Sequence, residues 1–297
     1  MKNLIILILI FLLLPDVSGQ TKSELPLSTN FDELTAPDFI NAVKQAGGVC
    51  LLPMGVLERH GPHLPLGSDI YQSRHVAGLA AKKEYCIVFP TYYFGLIDEA
   101  RDLPGTLAYS HEIMWNLLQE TCNELSRNGL KKIIIVNGHG GNNDFLKYFC
   151  MSQLHDPKDY VLLVFQPKED ATTQQTIKKL RKTAADGGHA GEEETSRIRA
   201  IRPDLIKTEM ASSESGVDQQ RLSDIPYQYT GIWWNARFPT NYAGDGSQSS
   251  AELGNFIMNN QVDQLVTLIK AIKKSNKIEE IQLKFFNDSE DPLKSKQ

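Results

Sequence analysis

The sequence predicts an α/β fold in which helices cover both faces of a mainly parallel sheet, as a three-layer α/β/α sandwich. Four strand-length stretches are apolar almost throughout: GVCLLPMG, YCIVFP, KKIIIVNG and YVLLVF. Stretches with a helical pattern separate these strands along the chain. Strands that are apolar on both sides are buried on both faces, and strands that alternate with helices form parallel sheets. Because no repeat or low-complexity linker interrupts residues 20–280, we expect one domain there.

The helices are predicted from capping residues and apolar periodicity. Thr35 precedes APDFINAVKQAGG, which has a proline in its first turn and glycines at its end. Other helical patterns are IYQSRHVAGLAAKKE, HEIMWNLLQETCNELSRNG, residues 143–154, TTQQTIKKLRKTA, GEEETSRIRAI and SSAELGNFIMNNQVDQLVTLIKAIKKS. Residues 207–250 are rich in loops. We expect the charged chain beyond Lys277 to be partly disordered, with a tail at residues 281–297.

Residues 1–19 have the pattern of an export signal. Lys2 gives a basic start, residues 4–14 are apolar without interruption, and small residues around Gly19 offer a cleavage site. The apolar run is about half of the roughly 20 residues that span a bilayer, so cleavage is favoured over retention as an anchor. We therefore expect a mature chain that starts near Gln20, is periplasmic or secreted, and has no stable membrane span.

Composition narrows the class of partner. The formal net charge of −5 provides no basic field that would gather nucleic acid or an anionic membrane, so a small-molecule substrate is favoured. The four cysteines are far apart and form no C-x-x-C pair, which argues against a thiolate zinc site or a redox dithiol. We expect them to be buried, although an export compartment permits a disulfide.

Residues that commonly bind metals follow two of the predicted strands. Glu58, His60, His63 and Asp69 lie in PMGVLERHGPHLPLGSD, and His139 lies in NGHGGNN. Ligands bind beyond the carboxyl ends of the strands in open parallel sheets, so we expect both loops at one edge. Carboxylates and imidazoles without thiolates suit zinc, manganese or ferrous iron. The glycine-rich NGHGGNN could instead hold a phosphate, but it lacks the lysine of a P-loop.

A third polar segment, DGGHAGEEETS, places one histidine and three glutamates at the start of a predicted helix. Carboxylates favour the positive end of the helix dipole, so Glu192 and Glu193 are interpreted as ordinary N-terminal charge. His189 and Glu194 are retained as candidates for the site.

These three segments resemble the motifs LPxGxxExHGxHLPxxxD, NGHGGN and HAGxxETS of the creatininase family, or creatinine amidohydrolases. The resemblance covers roughly residues 35–260 in the same order and includes PGTL at 104–107. It implies an α/β/α fold, two divalent metal ions per subunit (zinc, manganese or iron) and a homo-oligomer, often a hexamer. The metal ligands that it implies are Glu58, His60, Asp69 and His139, with Asp69 shared by the two ions.

The chain also departs from the creatinine-cleaving members of that family. Those members carry a fifth ligand, Glu, where this chain has Gly141, and another Glu where it has Gly188. We therefore infer Glu194 as the replacement ligand and do not expect creatinine to be the substrate. His189 matches a histidine implicated in catalysis or substrate contact.

We expect a metal-dependent hydrolase that cleaves a C–N bond in an amide, lactam or formamide, with a two-metal-activated hydroxide as nucleophile. His189 is the expected proton shuttle, because imidazole gives and takes protons near neutral pH. One alternative is a hydrolase of a cyclic keto-polyol or sugar-like ketone. Another is a non-catalytic exported metal- or ligand-binding protein. The expected substrate contacts are Gly140, Asn142, Trp233 and Trp234.

Overall fold

Parallel strands form the centre of the molecule, which a computed structural model describes at residues 26–183 and 188–294. The strands are β1 (Val49–Met54), β2 (Ile87–Val88), β3 (Lys132–Asn137) and β4 (Val161–Val164), in the sheet order β2-β1-β3-β4. Every pairing among them is parallel. The predicted α/β class is therefore confirmed. The export signal predicted at residues 1–19 lies outside the described residues.

The sheet is buried from both sides. All six residues of β1 are buried, although successive side chains of a strand point to opposite faces. Leu51 lies opposite Ile134 and Pro53 opposite Val136, in the middle of the core. This explains why the strands are apolar throughout rather than alternating with polar residues.

Helices surround the sheet, and four of the nine described α-helices begin at a side-chain cap. Thr35, Ser110, Asp170 and Ser250 each accept a backbone N–H of the first helical turn that follows. The helices are α1 (Ala36–Ala46), α2 (Ser68–Lys83), α3 (His111–Arg127), α4 (Asn142–Ser152), α5 (Ala171–Leu180), α6 (Glu192–Ile201), α7 (Trp233–Arg237), α8 (Ala251–Lys274) and α9 (Lys277–Glu290).

The prediction of partial disorder beyond Lys277 is wrong for residues 277–290, because they form α9. This helix packs against β4: Phe286 is buried, and Gln282 Nε2 donates to the carbonyl of Tyr160 at 2.8 Å. Lys132 at the start of β3 also lies 3.2 Å from Glu279. The charges of this segment thus form the outer face of an amphipathic helix.

Two glycines let the start of α2 approach the ends of the central strands. A Cβ on Gly55, just after β1, would lie 2.7 Å from Ile70 N, and one on Gly138, just after β3, would lie 2.3 Å from Asp69 O. Any side chain at these positions would push the first turn of α2 away. Asp69 therefore lies directly above the carboxyl edge of the sheet.

The remaining expectations about the chain concern membranes and cysteines. Within the described residues, no helix is both long enough and apolar enough to span a membrane. The four cysteines are free thiols; Cys50, Cys86 and Cys122 are buried, whereas Cys150 is half-buried.

Candidate metal centre

The carboxyl ends of β1 and β3 bring three predicted residues together. His139 Nδ1 lies 2.8 Å from Glu58 Oε1 and 3.1 Å from Asp69 Oδ2. All three side chains are buried. One atom from each lies within 4.8 Å of the other two, a spacing that could hold a metal ion.

A second group shares Asp69 with the first. Its other carboxylate oxygen, Oδ1, lies 3.0 Å from His60 Nε2, which is 3.8 Å from Glu194 Oε1. These three residues also form a group that could hold an ion. Asp69 therefore presents one oxygen to each of two adjacent groups. This is the arrangement expected of a carboxylate shared by two ions, although the ligand roles themselves remain predictions.

Backbone carbonyls orient both imidazoles. His139 Nε2 lies 2.9 Å from the carbonyl of Leu96, and His60 Nδ1 lies 3.2 Å from the carbonyl of Glu58. A carbonyl can only accept, so each of these nitrogens carries the hydrogen. The opposite nitrogen of each ring points into the cluster, where it can carry a second proton or bind a metal ion. Histidines that bind metals are usually held in this way.

In this cluster, the attraction between opposite charges shifts the pKa values more than burial does. Burial alone would lower the pKa of His60, but the carboxylates, with Asp69 foremost, raise it to about 10. The pKa of His139 is raised well above its usual value, with Glu58 as the strongest partner. Burial would raise the pKa values of Asp69 and Glu194, yet the charge of His60 lowers both. In a metal-free protein, protons on the imidazoles thus supply the positive charge that the buried carboxylates require.

Two carboxylate oxygens of the cluster accept no hydrogen bond. Within the described residues these are Glu58 Oε1 and Asp69 Oδ2, which lie 2.8 Å and 3.1 Å from His139 Nδ1. Buried polar atoms are almost always paired. Once a cation replaces the second proton of His139, lone pairs of two oxygens and one nitrogen converge on one point, and this donor set suits zinc, manganese or iron.

His189 lies at the opening of the cluster. Its ring stacks on His60 with centroids 4.3 Å apart, and its side chain is 14% exposed, whereas that of His60 is fully buried. The backbone that follows is specialised, since Ala190 has a left-handed φ of 57° and donates its N–H to Glu194 Oε2. His189 is thus the histidine of the cluster that a substrate could reach.

The other predicted residues are distributed around the cluster. Gly140 is exposed, whereas Asn142 is fully buried and its side chain bonds Leu96 N and Asn137 Oδ1 beneath the site. The rings of Trp234 and His189 are nearly perpendicular, with centroids 6.0 Å apart. Trp233 instead lines a separate cavity of about 230 Å³ with Asp218 and Arg237, among others.

His63 belongs to the structural support of the site. It is 1% exposed, and its Nε2 lies 2.9 Å from the hydroxyl of Thr195 in α6. Its Nδ1 has no partner among the described residues. No ligand role was assigned to this histidine from the sequence, and its position joins the loop after β1 to α6.

Three supporting residues were missed or misread in the sequence. Asn241 is buried against Glu58, and Gln72 donates to Glu194 Oε1 at 3.3 Å. Glu192, interpreted as ordinary helix charge, is buried and accepts the backbone N–H groups of Lys182 and Thr183. None of these positions forms a metal-ligand spacing with its neighbours in sequence.

Comparison with known proteins agrees with the fold and the cluster. The family model described as "Creatininase: Creatinine amidohydrolase" matches residues 32–269. The chain therefore belongs to the creatininase family. The prediction that it is a metal-dependent hydrolase of the amidohydrolase type is confirmed.

Individual relatives are distant. Creatinine amidohydrolase of Pseudomonas putida is 26% identical over 59% of this chain and 72% of that protein. Mycofactocin precursor peptide peptidase of Mycolicibacterium smegmatis is 30% identical over 54% of this chain and 60% of that protein. The 3-dehydro-scyllo-inosose hydrolase of Thermotoga maritima is 25% identical over 63% and 61%, respectively.

Solved structures share the fold. A creatinine amidohydrolase structure matches with a TM-score of 0.71 at 23% identity and covers 84% of this chain and 99% of that one. A mutant creatininase of the Zn-Zn type gives the same TM-score and coverage at 22% identity. Identities this low fit the prediction that the chain is a family member other than a true creatininase.

Proposed function

We propose that the protein hydrolyses a C–N bond of a small molecule, in an amide, lactam or formamide, with two divalent metal ions. The observation that carries this proposal is the position of Asp69, whose two oxygens face two separate donor groups. Glu58 and His139 complete the first group, and His60 and Glu194 complete the second. Zinc, manganese and iron all suit these donors.

Ions held there would lower the pKa of a water molecule and polarise the substrate carbonyl. The chain provides the rest of the chemistry. Three carboxylates offset the charge of two cations, and the backbone carbonyls of Leu96 and Glu58 keep the two ligand imidazoles aimed inward. These groups are in place before substrate arrives, so little reorganisation is needed during the reaction.

His189 is the proposed proton carrier. It lies over His60 at the opening of the cluster and is 3.8 Å from Glu194 Oε2. A proton taken up there could pass to the leaving nitrogen, because the ring is exposed enough to meet the substrate. Trp234 packs nearly perpendicular to the same ring.

Two glycines argue against creatinine as the substrate. They occupy the positions where the creatinine-cleaving enzyme, by its motifs, carries glutamates. A Cβ on Gly141 would lie 2.5 Å from His139 Nε2, and one on Gly188 would lie 2.1 Å from the carbonyl of Ala243. The backbone here is therefore built without those side chains.

A second candidate activity is hydrolysis of a cyclic keto-polyol. It is favoured by the relative named 3-dehydro-scyllo-inosose hydrolase, whereas the relatives named amidohydrolase and peptidase favour C–N cleavage. The same metal centre could polarise a ketone as well as an amide. The substrate class therefore has to be decided by assay.

We also propose that the protein is exported and forms a homo-oligomer. Export is supported by the apolar run at residues 4–14, and oligomerisation by the family motifs. The intact mass of the protein purified from its host would reveal cleavage near Gln20. Sedimentation would give the subunit number.

The decisive experiment combines metal analysis with a substrate panel. Elemental analysis of the purified protein should find about two divalent ions per chain, and lactams, formamides, peptides and keto-inositols should be assayed with and without chelator. Chelator-sensitive release of an amine or ammonia supports the proposal. Turnover of keto-inositols alone would support the second candidate, and a protein that binds no metal after supplementation would exclude the proposed mechanism.

A further inference from the structure

Asn241 occupies an unusual position beside the cluster. It follows α7, is 2% exposed and has a left-handed backbone with φ of 49°. Asn adopts this conformation more readily than most residues. Its carbonyl accepts the N–H of Gly61, so the backbone of Asn241 is joined to the loop that carries Glu58 and His60.

Trp234 fixes the orientation of the Asn241 side chain. The indole Nε1 lies 2.5 Å from Asn241 Oδ1, and an indole N–H can only donate. The oxygen of the amide must therefore face Trp234, and the nitrogen must face the opposite way. There, Asn241 Nδ2 donates to Glu58 Oε2 at 2.6 Å and to the carbonyl of Arg59 at 2.7 Å.

The same nitrogen settles which atom of His189 carries hydrogen. His189 Nε2 lies 3.0 Å from Asn241 Nδ2 and 3.0 Å from the carbonyl of Arg59. The amide has two hydrogens, and its two shorter contacts, to Glu58 Oε2 at 2.6 Å and to the carbonyl of Arg59 at 2.7 Å, take both of them. His189 Nε2 must therefore donate to Arg59 O, because a lone pair there would face a carbonyl lone pair. The lone pair of the neutral ring is then on Nδ1, 3.8 Å from Glu194 Oε2.

We propose that Asn241 is a positioning residue that holds His189 in its Nε2–H tautomer and, through the same amide nitrogen, aims the Glu58 carboxylate. In this tautomer the lone pair of the ring is on Nδ1, which lies on the side of Glu194. The catalytic consequence rests on the proposed function. The tautomer itself is a property of the folded chain and can be measured without turnover.

The test uses nitrogen NMR of histidine-labelled, metal-free protein at alkaline pH, where free imidazole is neutral. The His189 signals are assigned from their loss in His189→Gln. Asn241→Gly and Asn241→Asp both tolerate a positive φ and lack the amide donors, so they separate the side chain from backbone strain. Trp234→Phe keeps a ring but removes the indole donor that orients the amide. Circular dichroism shows whether each variant is folded.

We expect wild-type His189 to show a protonated Nε2 and an unprotonated Nδ1. Both Asn241 variants should lose this pattern, and Trp234→Phe should weaken it. A wild-type signal with hydrogen on Nδ1, or an unchanged pattern in folded Asn241→Gly and Asn241→Asp, would overturn the inference.

Kinetics provide a second readout. In both Asn241 variants, kcat should fall at least about tenfold while KM changes little, because proton transfer typically contributes two or more orders of magnitude. If the metal-replete variants lose kcat/KM relative to the wild type through a higher KM alone, the assigned role is contradicted. If the nitrogen pattern is as expected but no C–N substrate is hydrolysed, the proposed function fails and the tautomer assignment stands. If hydrolysis occurs with Nδ1 protonated, only this inference fails.

Discussion

The ring of His63 donates from Nε2 to the hydroxyl of Thr195, 2.9 Å away, and the hydroxyl donates in turn to the carbonyl of Ala190. This chain of hydrogen bonds joins the loop after β1 to the first turn of α6. Among residues 26–183 and 188–294, no acceptor meets the buried Nδ1 of His63, so a second proton on this ring would have no partner there.

His63 should therefore make stability depend on pH. Burial, reinforced by the charge of His60, lowers its pKa from 6.5 to about 4. The unfolded chain then binds more protons than the native state between these values. The stabilising effect is fully present above pH 6.5 and is lost as the pH falls toward 4. His63→Gln should reduce the dependence of the unfolding free energy on pH between 4 and 6.5.

Urea unfolding of metal-free protein at several pH values in this range gives the slope. His155→Gln is the matched control, because His155 is exposed. Equal slopes for wild type and His63→Gln would show that another group causes the pH dependence.

The shared position of Asp69 predicts unequal losses of metal. Asp69→Asn should lose both ions, since its carboxylate faces both donor groups, whereas Glu194→Gln should lose only the ion next to His60. Glu193→Gln is the control, because Glu193 pairs with Arg181 instead. Elemental analysis after dialysis measures all three variants, and full metal content in Asp69→Asn would remove it from the centre.

Substitution of Gln72 should weaken binding of the ion next to His60 and Glu194 without abolishing it. Its amide donates to Glu194 Oε1 and its own oxygen accepts from Arg197 at 3.2 Å, which holds the carboxylate in place. Gln72→Leu should weaken binding of one ion about 10- to 100-fold, as is usual when a partner of a ligand is removed. Competition with a fluorescent chelator would measure this change, and Gln248→Leu on the surface should show none.

Two adjacent glycines should respond differently to a methyl group. Gly141→Ala would place Cβ against His139, whose ring is held by Leu96, and should cost about 1–3 kcal/mol of unfolding free energy. The Cβ of Gly140→Ala would meet no atom of the described part of the chain within 4 Å, so this change should alter stability by less than about 0.5 kcal/mol. Chemical denaturation compares them, and equal costs would mean that the His139 loop is free to move.

Much of the site could be predicted because parallel strands end at a common edge. Glu58 and His139 are far apart in sequence, but each follows an apolar strand, and β1 and β3 are neighbours. The family motifs then selected which polar residues to group. Periodicity also located α1, α3 and α8, whose apolar faces are regular.

Other features could not be predicted, for physical reasons that differ. Asn241 acts through a left-handed backbone and contacts Glu58 across 183 positions, which no local spacing encodes. The role of Glu192 depends on the backbone of residues 182–183 folding back over it. For α9 a signal existed, since apolar residues recur at helical spacing from Ile278 to Phe286, but its high charge concealed it.

The sheet order β2-β1-β3-β4 has a consequence for the lifetime of the protein. β1 and β3 meet only after the chain has closed a long loop that includes β2 and α3, and an unfolded chain cannot hold the donors of the cluster together. Metal would therefore bind the native state alone and stabilise it by mass action, by about 2.7 kcal/mol at a free concentration one hundred times Kd. The concentration of free metal would then set how often the chain unfolds and is exposed to proteases. A shortage of metal would therefore lower the amount of the enzyme as well as its activity.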